Sequence, residues 1–391
     1  MKFWFGRKAG RDGARPFLWR GWAAAPSTGD WPRSYEAQVR EGYLSNPIAQ
    51  RAVRLVAESV AWAPVYEIEE GAGPPPPRSA PSPSPSRGGS LVTASLLETV
   101  ASQLLLHGNA FVQLLLDASG EPAELFALRP ERVKIEADSG GWPVAYLYKA
   151  GEAKSRLAAR DGLGRPSVAH IKSMHPLDDH YGLGCLGAAA GGVAVHNAAA
   201  RWNKALLDNA ARPSGALLLD PGKDGRTLSA QQFEQLRSEV ETQFAGGDNA
   251  GRPMLLEGGL RWEALSLSPA DMDFAGLKAA AAREIALAFG VPPMLLGLPG
   301  DSTYANYREA NRALWRLTVL PLAEKILSGI GAALRAWWPG ARLAVDSDQI
   351  SALSEDRERL WTQVSAADFL TRQEKREMLG FDRNDSTGAG Q

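Results

Sequence analysis

Residues 270–337 read ADMDFAGLKAAAAREIALAFGVPPMLLGLPGDSTYANYREANRALWRLTVLPLAEKILSGIGAALRAW. Alanine and leucine recur at helical spacing as far as Phe289, and glycines and prolines between Gly290 and Asp301 then break the pattern. A second, longer helical pattern runs from Tyr304 to Trp337. Two helices joined by a short connection pack side by side. The tip of the connection, GLPGDST, has no apolar body to bury and is expected in solvent or against a partner. On the second helix Tyr304, Arg308, Arg312 and Arg316 recur every four residues as one slowly drifting stripe, with Glu309 one turn from Arg312. Leu317, Leu320, Ala323, Leu327, Ile330 and Leu334 cover another face. Pro321 lies inside this helix; it lacks an N–H and its ring crowds the preceding turn, so a kink is expected there.

A chain of 391 residues can bury a sizeable core and is expected to divide into two or three domains. Its formal net charge of −1 gives no bulk attraction to nucleic acid or to an acidic membrane, so any nucleic-acid contact must come from a local patch. The one cysteine, Cys185, excludes an intrachain disulfide and a cysteine-based zinc site, which fits a reducing compartment. The N-terminus lacks the apolar core of a signal peptide, and no uninterrupted run of eighteen apolar residues predicts a membrane span.

Residues 1–29 mix Trp, Arg and Gly without period and read as a flexible arm. Asn46-Pro47 opens a helix with Ile48, Ala52, Leu55, Val56 and Val60 at helical spacing, and VAWAPVYEIEE follows as an edge strand. Residues 71–90, GAGPPPPRSAPSPSPSRGGS, form a solvated proline-rich loop. A helix over 91–108 carries Leu96, Leu97, Val100, Leu104 and Leu105 on one face. Short strands follow as a meander: AFVQLLL, ELFALRP, RVKIEAD and VAYLYKA, then a polar loop and VAHIKSM. The fold class is therefore α+β, with a small, mostly antiparallel sheet.

Gly182, Gly184 and Gly187 spell G-x-G-x-x-G ahead of a helix. A seven-residue loop separates them from the preceding strand, and Asp208, about twenty positions on, falls in a helix, so the context of a dinucleotide site fails. His170, His175, His180, Asp178 and Asp179 lack helical metal-ligand spacing, and a hydrogen-bonded loop is the simpler reading; no metal and no cofactor are expected. The helix from 184 to 210 is rich in Ala and Gly and suits close packing on another helix. ARPSGALLLD, the Ser229-capped helix LSAQQFEQLRSEVETQFAG, AGRPMLLEGG and LRWEALSLS then make a β-α-β-β module. Near the C-terminus Ser354 and Thr371 are expected to cap two short helices, and residues 381–391 read as a disordered tail.

Seven segments, in order, resemble the portal proteins of tailed double-stranded-DNA phages, the lambdoid-type family also found in phage-derived gene transfer agents. They are NPIAQRAVRLVAESVAWAPV, HGNAFVQLL with LRPERVKI, HIKSMHPLDDHYGLGCLGAAAGGV, SGALLL with its helix, RPMLLEGGLRWEALSLSPADM, REIALAFGVPPMLLG and YANYREANRALWRLTVLPLAEKI. The proline-rich insertion and the short C-terminal segment depart from the family's pattern.

The resemblance implies a portal-type, ring-forming fold: a wing over 30–183, stem helices at 184–210 and 269–296, and a clip over 211–268. A tunnel loop at 297–305, a long kinked helix returning to the wing over 306–350 and a short crown over 351–380 would complete it. It implies a ring, usually of twelve copies, at one vertex of a virion or phage-like particle assembled in the bacterial cytoplasm. Double-stranded DNA would enter and leave through the ring without sequence preference. The partners would be the terminase large subunit, a head–tail adaptor protein and the major capsid protein, with no membrane. Ser302, Thr303, Tyr304, Asn306, Arg308 and Arg312 would approach DNA, and Phe233, Arg237, Arg252, Glu257 and Arg261 would serve the clip's partners. Against an enzyme stand the absence of a G-x-S-x-G elbow, a P-loop lysine, an H-E-x-x-H pair and a Cys–His pair in a plausible context. Against a DNA-binding regulator stand the near-neutral charge and the lack of a basic recognition helix.

Overall fold

The computed structural model describes residues 34–68, 91–208, 215–219, 260–264, 273–298, 304–340 and 342–379, with single positions between 229 and 238. The arm, the proline-rich loop and the tail lie outside these residues. The chain divides into two compact units, Met1–Ala189 with Ala286–Gln391, and Ala190–Ile285.

The first unit opens with α1 (Tyr35–Val39), a π-turn at Arg40–Leu44 and α2 (Pro47–Ala61). Asn46 caps α2: its Oδ1 accepts from the N–H groups of Ile48 and Ala49, two of the donors that a helix start leaves unpaired. β1 (Val65–Ile68) follows, then α3 (Ala94–Leu106) with Thr93 as its cap. β2 (Asn109–Leu116), β3 (Pro122–Leu128), β4 (Val133–Ala137), β5 (Pro143–Ala150), β6 (Ala153–Ala158) and β7 (Val168–Lys172) come next.

The expected single meander is instead two three-stranded antiparallel sheets, ordered β3-β2-β7 and β4-β5-β6. A 3-10 turn at Pro130–Arg132 separates them, since Pro130 cannot donate to a ladder. β6 was expected as a polar loop; its residues AKSRLA are almost all exposed, so no apolar alternation marked this edge strand. Between the sheets lies a core of Phe111, Leu128, Val133, Tyr146 and Val168, with Ile135, Tyr148, Leu157 and Tyr181 packed on it.

Three hairpin loops, DASGE at 117–121, DSGGW at 138–142 and DGLGR at 161–165, are built the same way. In each, the Asp Oδ1 accepts from the N–H groups two and four residues on. The fourth residue is a glycine at φ +75 to +78, a conformation that side chains disfavour. The bonds from N–H groups to Asp161, with Arg165 beside it, hold its carboxyl below the usual range.

In the second unit α4 (Ala190–Asp208) runs beside α5 (Phe274–Ala288). α4 starts later than expected, at Ala190. A Cβ on Gly192 would lie 3.1 Å from the Ala281 carbonyl oxygen, so the small residues do permit the close helix packing expected of them. β8 (Gly215–Leu219) pairs antiparallel with β9 (Leu260–Ala264). Ser229 and Gln232 exchange reciprocal capping bonds where the helical positions 231, 232, 234, 235 and 238 begin.

Back in the first unit come α6 (Tyr304–Leu314), a π-turn at Trp315–Val319 and α7 (Leu320–Leu334). The π-turn sits just before Pro321, where the missing N–H breaks the regular ladder. Ala305–Leu334 has the length and composition of a membrane span, an outcome the sequence reading did not anticipate. Its second half is a core helix: Ala323, Ile326, Leu327, Ile330 and Leu334 are buried, and Gly329 meets Ile171 of β7. β10 (Arg342–Val345) pairs with β1, and α8 (Ser354–Ala366) and α9 (Arg372–Met378) end the fold. Thr371 caps α9 as expected, and its reciprocal bonds with Glu374 complete a capping box. Ser354 does not cap: it is the first helical residue, and its hydroxyl donates to the Ser351 carbonyl.

The first two glycines of the motif have a structural explanation. A Cβ on Gly182 would lie 2.1 Å from the Gly108 carbonyl oxygen, and one on Gly184 would lie 2.4 Å from that of Leu106. Fully buried Asn109 clasps the same loop: its Oδ1 accepts from the Gly182 N–H at 2.7 Å and its Nδ2 donates to the Gly182 carbonyl at 3.1 Å. Asn109 Oδ1 can only accept, so His170 Nε2, 3.1 Å away, carries the proton between them. Burial, with smaller contributions from Lys172, His180 and His107, pushes the His170 pKa down to about 3. His170 thus stays neutral when folded but binds a proton near pH 6.5 when unfolded. Its contribution to stability is complete above about pH 6.5 and is lost as pH falls towards about 3. Equilibrium denaturation across that range should show stability rising with pH, by up to about 1.4 kcal/mol per unit for this one proton. His170→Gln, which keeps a donor for Asn109 but does not titrate, should flatten the slope.

Candidate functional site

The connection singled out in the sequence begins where α5 ends. Gly290, at φ +66, closes the helix, and the Val291 N–H bonds back to the Ala286 carbonyl at 2.9 Å. Thr318, in the π-turn, donates its hydroxyl to the Gly290 carbonyl at 2.6 Å. A side chain at Gly290 would meet that hydroxyl at 2.8 Å, so this contact requires glycine twice over. A 3-10 turn at Pro293–Leu296 and Gly297, at φ +72, continue the connection. Ser302 and Thr303 lie outside the described residues, and Tyr304 opens α6.

Past that connection, α6 places Asn306, Tyr307 and Arg308 on exposed positions. The expected stripe is not one solvated face. Arg312 is 8% exposed and is held by two carboxylates: Nη1 donates to Glu309 at 2.9 Å and Nη2 to Glu355 at 2.5 Å. Arg312 is therefore a packed, paired residue in the folded chain. Four-residue spacing drifts about 40° per step on an α-helix, and the π-turn at 315–319 shifts the phase again, so the stripe could not stay on one face. Arg308, half exposed, donates from Nη1 to the other oxygen of the same Glu355 carboxylate.

Glu355 lies in the first turn of α8, where the helix N-terminus favours a negative charge. Buried Ile350 and an Arg357–Asp348 ion pair fix the segment leading into it. The pairing of Arg312 with Glu309 was legible from their spacing. Glu355 was missed: it is 43 residues from Arg312, and nothing in SEDRERL marks it as a partner.

Of the residues expected to meet a protein partner, Phe233, Arg237, Arg252 and Glu257 lie outside the described residues. Arg261 is described only as a β9 position opposite Leu218.

Residues 47–380 match the family model described as phage portal protein. The chain belongs to the phage portal protein family. The resemblance carried by the seven ordered segments is thus borne out, and the mixed fold of helices and small antiparallel sheets agrees with solved portal structures. A chain from the neck of a native gene transfer agent particle, computed with C12 symmetry, is 44% identical, with TM-score 0.66 over 90% of this chain and 94% of that one. An uncharacterized protein of Rickettsia felis is 40% identical over 345 residues, covering 87% of this chain and 88% of the relative. An HK97 family phage portal protein from Corynebacterium diphtheriae shares the fold at 17% identity and TM-score 0.55, over 81% of this chain and 96% of that one. The family is structural rather than enzymatic.

The two arginines of this portal-family site should differ in their effect on stability. Arg312→Ala removes charged hydrogen bonds from a largely buried position and should cost about 1.5–3 kcal/mol. Arg308→Ala, at a half-exposed position, should cost at most about 1 kcal/mol. Chemical denaturation of the two variants beside the parent checks this order.

Proposed function

We propose that twelve copies of this chain close into a ring at the neck of a phage-like or gene transfer agent particle. The ring is the channel through which double-stranded DNA enters the head and later leaves. The observation that carries this reading is the 44% identity, over 90% of the chain, to a chain in a gene transfer agent neck computed with C12 symmetry. The terminase large subunit, a head–tail adaptor protein and the major capsid protein are the proposed partners. Residues 30–183 form the wing, 184–210 and 269–296 the stem, 211–268 the clip, 297–305 the tunnel loop and 351–380 the crown. Phe233, Arg237, Arg252, Glu257 and Arg261 serve the clip's contacts.

The physical chemistry supports such a channel. A passage for any sequence must not read base edges, so its contacts go to phosphate and stay weak. A ring repeats every contact, so even one unbalanced arginine per subunit becomes a belt of charge. A chain with net charge −1, whose Arg312 is balanced internally, avoids a strongly adhesive channel. The close α4–α5 packing suits a rigid stem wall. Ser302, Thr303, Tyr304 and Asn306 are the proposed loop contacts, with Arg308 beside them.

Electron microscopy of the purified protein should show rings with a central hole wide enough for duplex DNA. A monomer at all concentrations would count against the reading. In particles assembled with Tyr304→Ala and Asn306→Ala together, rings should form normally while DNA packaging or retention falls. Unchanged packaging and retention would remove the loop from the proposed channel contacts.

A further inference from the structure

We infer that Glu355 acts as an internal stand-in for a DNA phosphate, masking Arg308 so that the channel grips passing DNA only weakly. This rests on the channel reading above and adds to it a specific residue that limits adhesion.

The geometry is that of an anion site already filled. Arg308 and Arg312 lie one turn apart on α6 and each sends a guanidinium N–H to a different oxygen of the Glu355 carboxylate. Two guanidinium groups converging on one planar anion form an arrangement that binds carboxylate and phosphate alike. The site has a fixed floor and an open side. Arg312 is 8% exposed and is also tied to Glu309, whereas the side chains of Arg308 and Glu355 are 51% and 38% exposed. An external phosphate can therefore reach Arg308 without unfolding anything, but it must displace Glu355.

That displacement is unfavourable for two reasons. Glu355 is tethered, which gives it an effective concentration on the order of millimolar or above at the arginines. It also sits at the N-terminus of α8, where the helix dipole stabilises its charge. The two arginines are balanced by Glu309 and Glu355, so the cluster offers little net attraction at a distance. Removing the Glu355 charge would leave one excess positive charge per subunit, repeated round the ring, with Arg308 the accessible member.

The test uses the full-length assembled ring and a short duplex DNA of arbitrary sequence, with binding followed by fluorescence anisotropy at several salt concentrations. Glu355→Gln should bind the duplex more tightly than the parent and with a steeper salt dependence, by about 0.9 in the log–log slope for each added phosphate contact. Lowering salt from about 200 to about 50 mM should then widen the variant's advantage about threefold per contact. Adding Arg308→Ala to Glu355→Gln should abolish the gain. Glu355→Asp keeps the charge needed for folding but shortens the reach; it should shift affinity in the same direction by less, and it carries the test alone if Glu355→Gln does not assemble. Parental affinity and slope in the assembled variants would overturn the inference. The channel reading is judged separately, by ring imaging and the Tyr304 and Asn306 variants, so the two can fail independently.

Discussion

The side chain of Asn109 holds the first unit together at its most crowded point. It is the first residue of β2, is fully buried, and pairs with both the N–H and the carbonyl of Gly182 as a neighbouring strand would. The same amide reaches the rings of His107 and His170, so the end of α3, the first sheet and the loop before Ala190 share one polar junction. A buried amide left unpaired costs more than its bonds contribute when made, so the cluster is satisfied as a whole or not at all. Tyr181, one residue away from Gly182, accepts a bond from the Ile135 N–H and ties the second sheet to the same loop.

Around this junction the unit is assembled from close approaches. Gly182 and Gly184 lie directly on the backbone of Leu106 and Gly108, and Gly329 lets α7 come down on Ile171. Trp337, beyond α7, donates its indole N–H to the Gly120 carbonyl at 2.7 Å, and Arg165 stacks over the same indole. The repeated Asp-led hairpin loops thus do more than turn the chain: two of them meet at Trp337 and pin the end of the long helix. At its other end the helix is held through Thr318 and Gly290 and through the grip of Glu355 on α6. The Gly/Pro connection is therefore mounted between two fixed points, which is what a loop needs if it is to carry a positioned function.

Much of this was legible because the signals are local. Asn46-Pro47, Ser229 and Thr371 announce helix starts within a few residues, and each of the three side chains accepts a capping bond. The apolar faces of α2, α3 and α7 follow largely from helical periodicity, but Leu317, expected on the long helix's apolar face, is exposed because it falls in the π-turn where the phase shifts. β6 was illegible because this edge strand turns only Leu157 partly inward, so no apolar alternation marks it. The division into two sheets was illegible because β2 takes β7 as its partner from more than fifty residues away, and no short window contains both.

The sequence by itself determined the family, through the order of seven segments spread over most of the chain, and the position of the helical pair with its broken connection. It also determined that charge would be near balance overall. Only the tertiary structure decided what that balance means locally. Arg308 and Arg312 look equivalent at a four-residue spacing, yet one is half exposed and the other is enclosed between Glu309 and Glu355. The reason is physical: helical spacing sets which residues share a face, but the partner that covers the face comes from α8, some forty residues on. The same holds for G-x-G-x-x-G, whose first two glycines, Gly182 and Gly184, are required by backbone contact with the end of α3, while Gly187 meets nothing that a side chain would strike.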